Sequence, residues 1–210
     1  GAATCAKWNP VDLQSVCTAA EDGTVRLWDV EVALARGDDR TSVSAVGGQT
    51  RVLLTLDRRG TRCAATAIAW RPDGGAVLSG ARDGSLRLFD TRGGGGHGGS
   101  SKAGRADAEL LNRDAHAEGE DVACVRWRDE HVCASRSTDG TVKLWDVRRF
   151  DTPLATWDGL ACQLPMGCLD FSPDHSLIAV GTSVRRNEGK SKMCFLSTRT
   201  LERVAELEMT

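Results

Sequence analysis

The chain has 210 residues, 40% of them apolar, with 27 basic and 29 acidic side chains and a formal net charge of −2. That composition fits a soluble globular protein with a sizeable core, and its near-neutral balance calls for neither a nucleic-acid nor a membrane partner, a local basic patch aside. No run of about 18 apolar residues exists, and the opening GAATCAKWNP lacks the charged and apolar regions of a secretory signal, which predicts an intracellular protein. The first residue is not Met, which suggests an excerpt of a longer sequence.

In chain order, strands with period-two alternation are predicted at 3–8, 15–20, 24–30 and 52–57, then at 65–70, 76–81, 85–90 and 108–114. They continue at 121–127, 131–136, 141–147 and 153–158, and finish at 166–171, 177–182, 192–197 and 202–208. Asp-Gly or Pro-Asp turns separate neighbouring strands. The segments EDGTVRLWDV (21–30), RDGSLRLFDT (82–91) and TDGTVKLWDV (138–147) are near-copies of one another. Each follows an apolar stretch ending in an aromatic, at Trp8, Trp70 and Trp127, and a fourth such stretch ends at Phe171. A small four-stranded sheet cannot bury both faces alone, so units recurring about every 45–60 residues must stack on their neighbours.

These units resemble WD repeats, the four-stranded blades of a β-propeller. The resemblance covers essentially the whole chain, in blades at about 1–60, 61–116, 117–160 and 161–210, with flexible insertions expected at 31–50 and 91–107. The phrases ATCAKWNP, DGTVRLWDVE, ASRSTDGTVKLWDVRRFDTPL and GTSVRRNEGK carry a closer resemblance to one branch of the family, the last because generic repeats lack such an insertion. The implied architecture is all-β, four blades of a propeller that closes with about seven. In the family a blade is stapled by a His before its first strand, a Ser or Thr in its second, the turn Asp, and the Trp of its third. His116, Ser135, Asp139 and Trp145 complete that set in the third unit. The first has Thr18, Asp22 and Trp28, and the second has Ser79 and Asp83 but Phe89 in place of Trp and no preceding His.

Several stretches imitate chemistry. Gly189-Lys190-Ser191 looks like the end of a phosphate-binding loop, but the earlier Gly that loop requires is replaced by Val184, and a strand follows instead of a helix. The tract GGGGHGGSS satisfies a dinucleotide fingerprint only as any glycine run does, and His97 within it is a lone imidazole. The four histidines, at 97, 116, 131 and 175, show no ligand spacing, and no nucleophile motif appears. The eight cysteines, at 5, 17, 63, 124, 133, 162, 168 and 194, form no CxxC pair and sit mostly in apolar alternating stretches. They are expected to be buried free thiols. A non-catalytic protein without cofactor or metal is the expectation.

The resemblance also implies partners. A Trp-Asp-x-Arg ending marks many family members that act as substrate receptors of cullin-4 RING ubiquitin ligases, the Arg docking on the ligase adaptor. Trp145-Asp146-Val147-Arg148 has that form, with Arg149 beside it, and Phe89-Asp90-Thr91-Arg92 has it with an aromatic exchange. Strand order sends Arg92 and Arg148 to one face, and the Asp-Gly turns, with Arg82, Arg136 and His175 nearby, to the opposite, client-holding face. Arg185, Arg186 and Lys190 could contact an acidic partner. Arginine is also a common polar ending for an exposed strand, so docking and a plain strand end both stand. A nuclear scaffold protein in chromatin or DNA-damage response is implied, or alternatively a component of a spliceosomal, RNA-processing assembly.

Overall fold

The computed structural model describes residues 1–31, 49–92, 105–106, 108–163, 168–185 and 189–209. The first sheet runs β1 (Ala3–Trp8), β2 (Ser15–Ala20), β3 (Thr24–Asp29) and β4 (Gln49–Leu54). The second has β5 (Ala65–Trp70), β6 (Ala76–Ala81) and β7 (Leu86–Asp90). Then β8 (Arg105–Ala106) crosses back to lie parallel to β4, and β9 (Leu110–Asn112) completes the second sheet. The third is β10 (Val122–Trp127), β11 (Val132–Ser137), β12 (Val142–Asp146) and β13 (Ala155–Trp157). The fourth is β14 (Leu169–Phe171), β15 (Leu177–Gly181), β16 (Lys192–Ser197) and β17 (Arg203–Glu208).

Apart from the parallel edge strand β8, each sheet is a four-stranded antiparallel meander, and three of them share one turn design. The glycines of Asp22-Gly23, Asp83-Gly84 and Asp139-Gly140 take φ of +74°, +80° and +81°, where a side chain is strained. Each Asp accepts a hydrogen bond from the N–H two residues on, at 3.1, 3.2 and 2.9 Å. The inner hairpins also share a bulge, at Ala3/Cys5, Ala65/Ala67 and Val122/Cys124. The bulged Thr4 and Thr66 hydroxyls donate to the Ala65 and Val122 carbonyls of the next sheet, both at 2.7 Å. At the other end of the same strands the Trp70 indole donates to the Lys7 carbonyl at 3.0 Å and Trp127 to the Ala69 carbonyl at 3.2 Å. Successive inner strands are therefore tied at both ends.

Apolar side chains fill the three spaces between sheets. Cys17, Val25, Leu53, Ile68 and Phe89 pack between the first and second, Leu78, Leu88, Val125 and Trp145 between the second and third, and Ala134, Leu144, Trp157, Ile178 and Leu196 between the third and fourth. All six residues of β6 and of β11 are buried, whereas every residue of β17 is exposed. The middle sheets thus bury both faces, each fully covered Val, Leu or Phe contributing about 1.5–3 kcal/mol before chain entropy is charged.

Two expectations shift. The fourth strand of the first unit lies at 49–54 rather than 52–57, because the chain beyond Leu54 turns into a tight hairpin with Leu56 bridged to Arg62. The stretch 91–107, expected to be a flexible insertion, contributes β8, whose backbone covers the outer edge of the first sheet. The remaining residues of the insertions at 31–50 and 91–107 lie mostly outside the described residues.

Gly80 on β6 sets the spacing to the third sheet: a Cβ there would stand 2.4 Å from a Val122 methyl. Gly80→Val should push β10 off β6 and destabilise the protein by about 1–3 kcal/mol, read as a lower denaturation midpoint in urea.

Candidate functional site

The third sheet contains a buried polar chain. The Trp145 indole donates to Ser135 Oγ at 2.8 Å, and Ser135 lies 2.7 Å from His116 Nε2. The other ring nitrogen, Nδ1, lies 3.1 Å from Asp139 Oδ2 and 2.9 Å from the Thr141 hydroxyl. Because Ser135 Oγ already accepts from Trp145, its hydrogen goes to Nε2, and Nδ1 carries the proton that faces the Asp139 carboxylate. That tautomer is neutral. Burial pushes the imidazole below its ordinary value, more strongly than Asp139 lifts it. Burial would lift the Asp139 carboxyl, but hydrogen bonds from His116, Thr141 and the Ala117 N–H outweigh it and hold the group far below the usual carboxylate range.

The other two units vary the theme. In the first, Trp28 donates to Thr18 at 2.8 Å, and Asp22 takes Thr24 Oγ1 at 2.6 Å and the Arg26 guanidinium at 2.9 Å. In the second, Phe89 has no side-chain donor, and among the described residues the buried Ser79 hydroxyl has only a 3.5 Å contact to the Gly80 carbonyl. Asp83 is held instead by Ser85 and by Arg87, a guanidinium only 2% exposed that also donates to the Leu56 carbonyl. Arg87 therefore does the work of the missing His. It occupies the same repeat position as Arg26 and Lys143. In the third unit, where His116 occupies Asp139, Lys143 turns to the Ala115 carbonyl at 2.6 Å. The shared basic position was visible in the three copies, but its burial was not.

The loops after β7 and β12 leave on the face away from the Asp-Gly turns. Arg148 forms a bidentate pair with Asp146, Nε to Oδ1 at 2.9 Å and Nη2 to Oδ2 at 2.6 Å, while its side chain stays 63% exposed. The guanidinium holds the Asp146 carboxyl at about 2. Arg148 borders a hollow of about 430 Å³ with Arg128, Asp129 and His131. Arg149 is exposed, without an ion-pair partner among the described residues. Arg92 folds over the β5–β6 turn onto Asp73, lies against Gly75 and remains 59% exposed. Asp73 also binds Arg71, the main reason that its carboxyl sits at about 2.

On the Asp-Gly face, Arg82 is 58% exposed and 3.7 Å from Asp121. Arg185 is exposed, its N–H donating to Gln163, and Arg186 lies outside the described residues. Two expected members do not belong there. Arg136 is fully buried, with Nη2 on the Ala161 carbonyl at 3.0 Å and with Nε and Nη1 unpaired among the described residues, so it presents nothing to a client. Its strand is covered on both faces, and that overrides the usual exposure of arginine. His175 sits in the β14–β15 turn, at the end of the sheet shared with Thr198, which bonds its carbonyl at 2.7 Å. That turn faces the Arg148 side, because antiparallel strands send alternate turns to opposite ends. The cysteines are free thiols; burial raises that of Cys17 to about 12 and those of Cys124 and Cys133 also upward. No cluster of metal-ligating side chains occurs among the described residues.

The repeat described as "WD domain, G-beta repeat" matches residues 1–29, 51–90 and 109–146. The chain belongs to the WD-repeat family. It is 32% identical over 204 residues to WD repeat-containing protein 70 of Xenopus tropicalis, and 28% identical over 205 residues to gastrulation defective protein 1 homolog of Drosophila melanogaster. Each match covers 97% of this chain but only 29% and 28% of the relative. A chain in the crystal structure of the mitotic checkpoint complex shares the fold with a TM-score of 0.70 at 18% identity, over 98% of this chain and 51% of that one. The four sheets are blades of a partial propeller, and WD-repeat proteins are protein-interaction scaffolds, typically non-catalytic.

Unfolded His116 titrates near its ordinary value of 6.5, whereas the folded imidazole binds its proton only at lower pH. The unfolded state therefore takes up more protons as pH falls below 6.5, so stability is full above that pH and lost below it. Asp139 adds a second loss below about pH 4. Thermal melts from pH 8 to 5 should show a falling midpoint that His116→Gln flattens. Arg87→Met should strand Asp83 and the Leu56 carbonyl and cost about 3 kcal/mol or more in chemical denaturation.

Proposed function

We propose that the protein is a nuclear substrate receptor of a cullin-4 RING ubiquitin ligase, acting in chromatin or DNA-damage response. The observation that supports this reading is the repetition of an Asp-x-Arg ending on two consecutive blades, with both guanidiniums exposed on one face. Each is preset by a carboxylate of its own blade. Asp146 engages the Nε and Nη2 edge of Arg148 and leaves the Nη1 hydrogens unengaged. An exposed pair of this kind is cheap to rearrange, and an oriented arginine beside a hollow suits an interface anchor. The mechanism is presentation: one face holds the adaptor and the other face holds the client. The chain spans under a third of the length of the curated relatives it matches.

Full-length protein purified from nuclear extract should bring down the ligase adaptor. An Arg92→Ala, Arg148→Ala double variant should recover at least about tenfold less at an unchanged melting temperature. An unchanged partner list would leave both arginines as strand ends. A list dominated by ribonucleoprotein subunits would replace the ligase reading with an RNA-processing one.

A further inference from the structure

The Asp-Gly face carries a feature that the fold does not use. Between β4 and β5 the chain forms the tight hairpin noted above. In it Gly60 takes φ +76°, and Asp57 Oδ1 accepts the Arg59 and Thr61 N–H groups, both at 2.8 Å. Its base is locked. The Thr55 N–H donates to the Gly23 carbonyl at 2.9 Å, and Arg87 donates from beneath to Leu56. Gly23 packs so closely that a Cβ there would stand 2.9 Å from the Arg62 Cβ. The tip and flank carry Arg58, Arg59 and Arg62, which with Arg82 line a hollow of about 450 Å³ between the first two blades.

The carboxylates of the hollow are unequally committed. Asp57 is occupied by backbone donors, and Asp83 by Ser85 and Arg87. Arg58 is paired with Asp114. Arg59 and Arg62 are exposed and have no ion-pair partner among the described residues. Glu21 stands exposed at the rim, and Glu118, exposed as well, lies 3.9 Å from the Arg58 guanidinium. We propose that this hollow binds a peptide that carries one anionic group, a phosphate or a carboxylate cluster, flanked by basic residues.

Guanidinium forks match both anions, and a turn locked by hydrogen bonds presents them without a backbone ordering cost. The rim carboxylates complement Lys or Arg beside the anionic group and oppose a continuous polyanion such as RNA, as does the net charge of −2. The hollow lies opposite Arg148, so the proposal stands or falls independently of adaptor docking.

The test is fluorescence anisotropy on full-length protein with three probes. Two are a lysine-flanked peptide bearing one phosphoserine and the same peptide bearing an Asp-Glu pair; the third is a single-stranded RNA. At least one peptide should bind, more tightly than RNA, and which one binds identifies the anion. Arg59→Glu with Arg62→Glu should weaken it about tenfold or more, Arg59→Gln with Arg62→Gln less, and Arg199→Glu, exposed in the β16–β17 turn on the opposite face, not at all. Binding of neither peptide, tighter binding of RNA, or affinity indifferent to both Arg59/Arg62 variants would overturn the proposal.

Discussion

A four-stranded sheet with apolar side chains on both faces is unstable until both faces are covered, and this requirement organises the molecule. The middle blades meet it on both sides, with all of β6 and β11 buried. Close packing between blades then needs the inner strands at a fixed distance. The repeated bulge and the paired hydrogen bonds from Thr and Trp supply it, and Gly80 permits the approach of Val122. Once the faces between blades are spent on stacking, the loop ends and the outer strand β17 remain as accessible surface.

The polar groups inside the blades obey a second constraint: a half-buried carboxylate at the Asp-Gly turn must have a donor. Three blades solve it with different side chains. A neutral His does so in the third, a half-buried Arg in the first, and a buried Arg in the second. The second solution has a consequence beyond its own blade, because Arg87 also ties down the hairpin that holds Arg58, Arg59 and Arg62. Loss of the histidine and presence of a rigid basic hairpin are thus two aspects of one hydrogen-bond network.

The two loop faces differ in chemistry. On one, Arg92 and Arg148 are each matched by a carboxylate from their own blade, which orients them and lowers their appetite for an external anion. On the other, Arg59 and Arg62 are presented by a locked turn with its own Asp already used by the backbone. Isolated exposed ion pairs contribute little to stability. The matched pairs therefore fix the orientation of Arg92 and Arg148 more than they stabilise the fold.

The sequence alone determined the all-β class, the four-unit repeat, the strand positions to within a few residues and the staple set of the third blade. Period-two alternation, Asp-Gly turns and the near-copies around Trp28, Phe89 and Trp145 are local signals that survive without knowledge of neighbours. The tertiary structure alone decided burial and facing. Arg136 was legible as a charge, but only the approach of the fourth blade makes it interior. His175 was legible as a turn residue, but its face depends on which end of the sheet that turn closes. Arg87, the hairpin at 55–63 and the pairing of β8 with β4 depend on contacts between units more than ten residues apart in sequence. Such contacts leave no periodic trace in the chain, because they are set by how blades stack rather than by how any one strand is patterned.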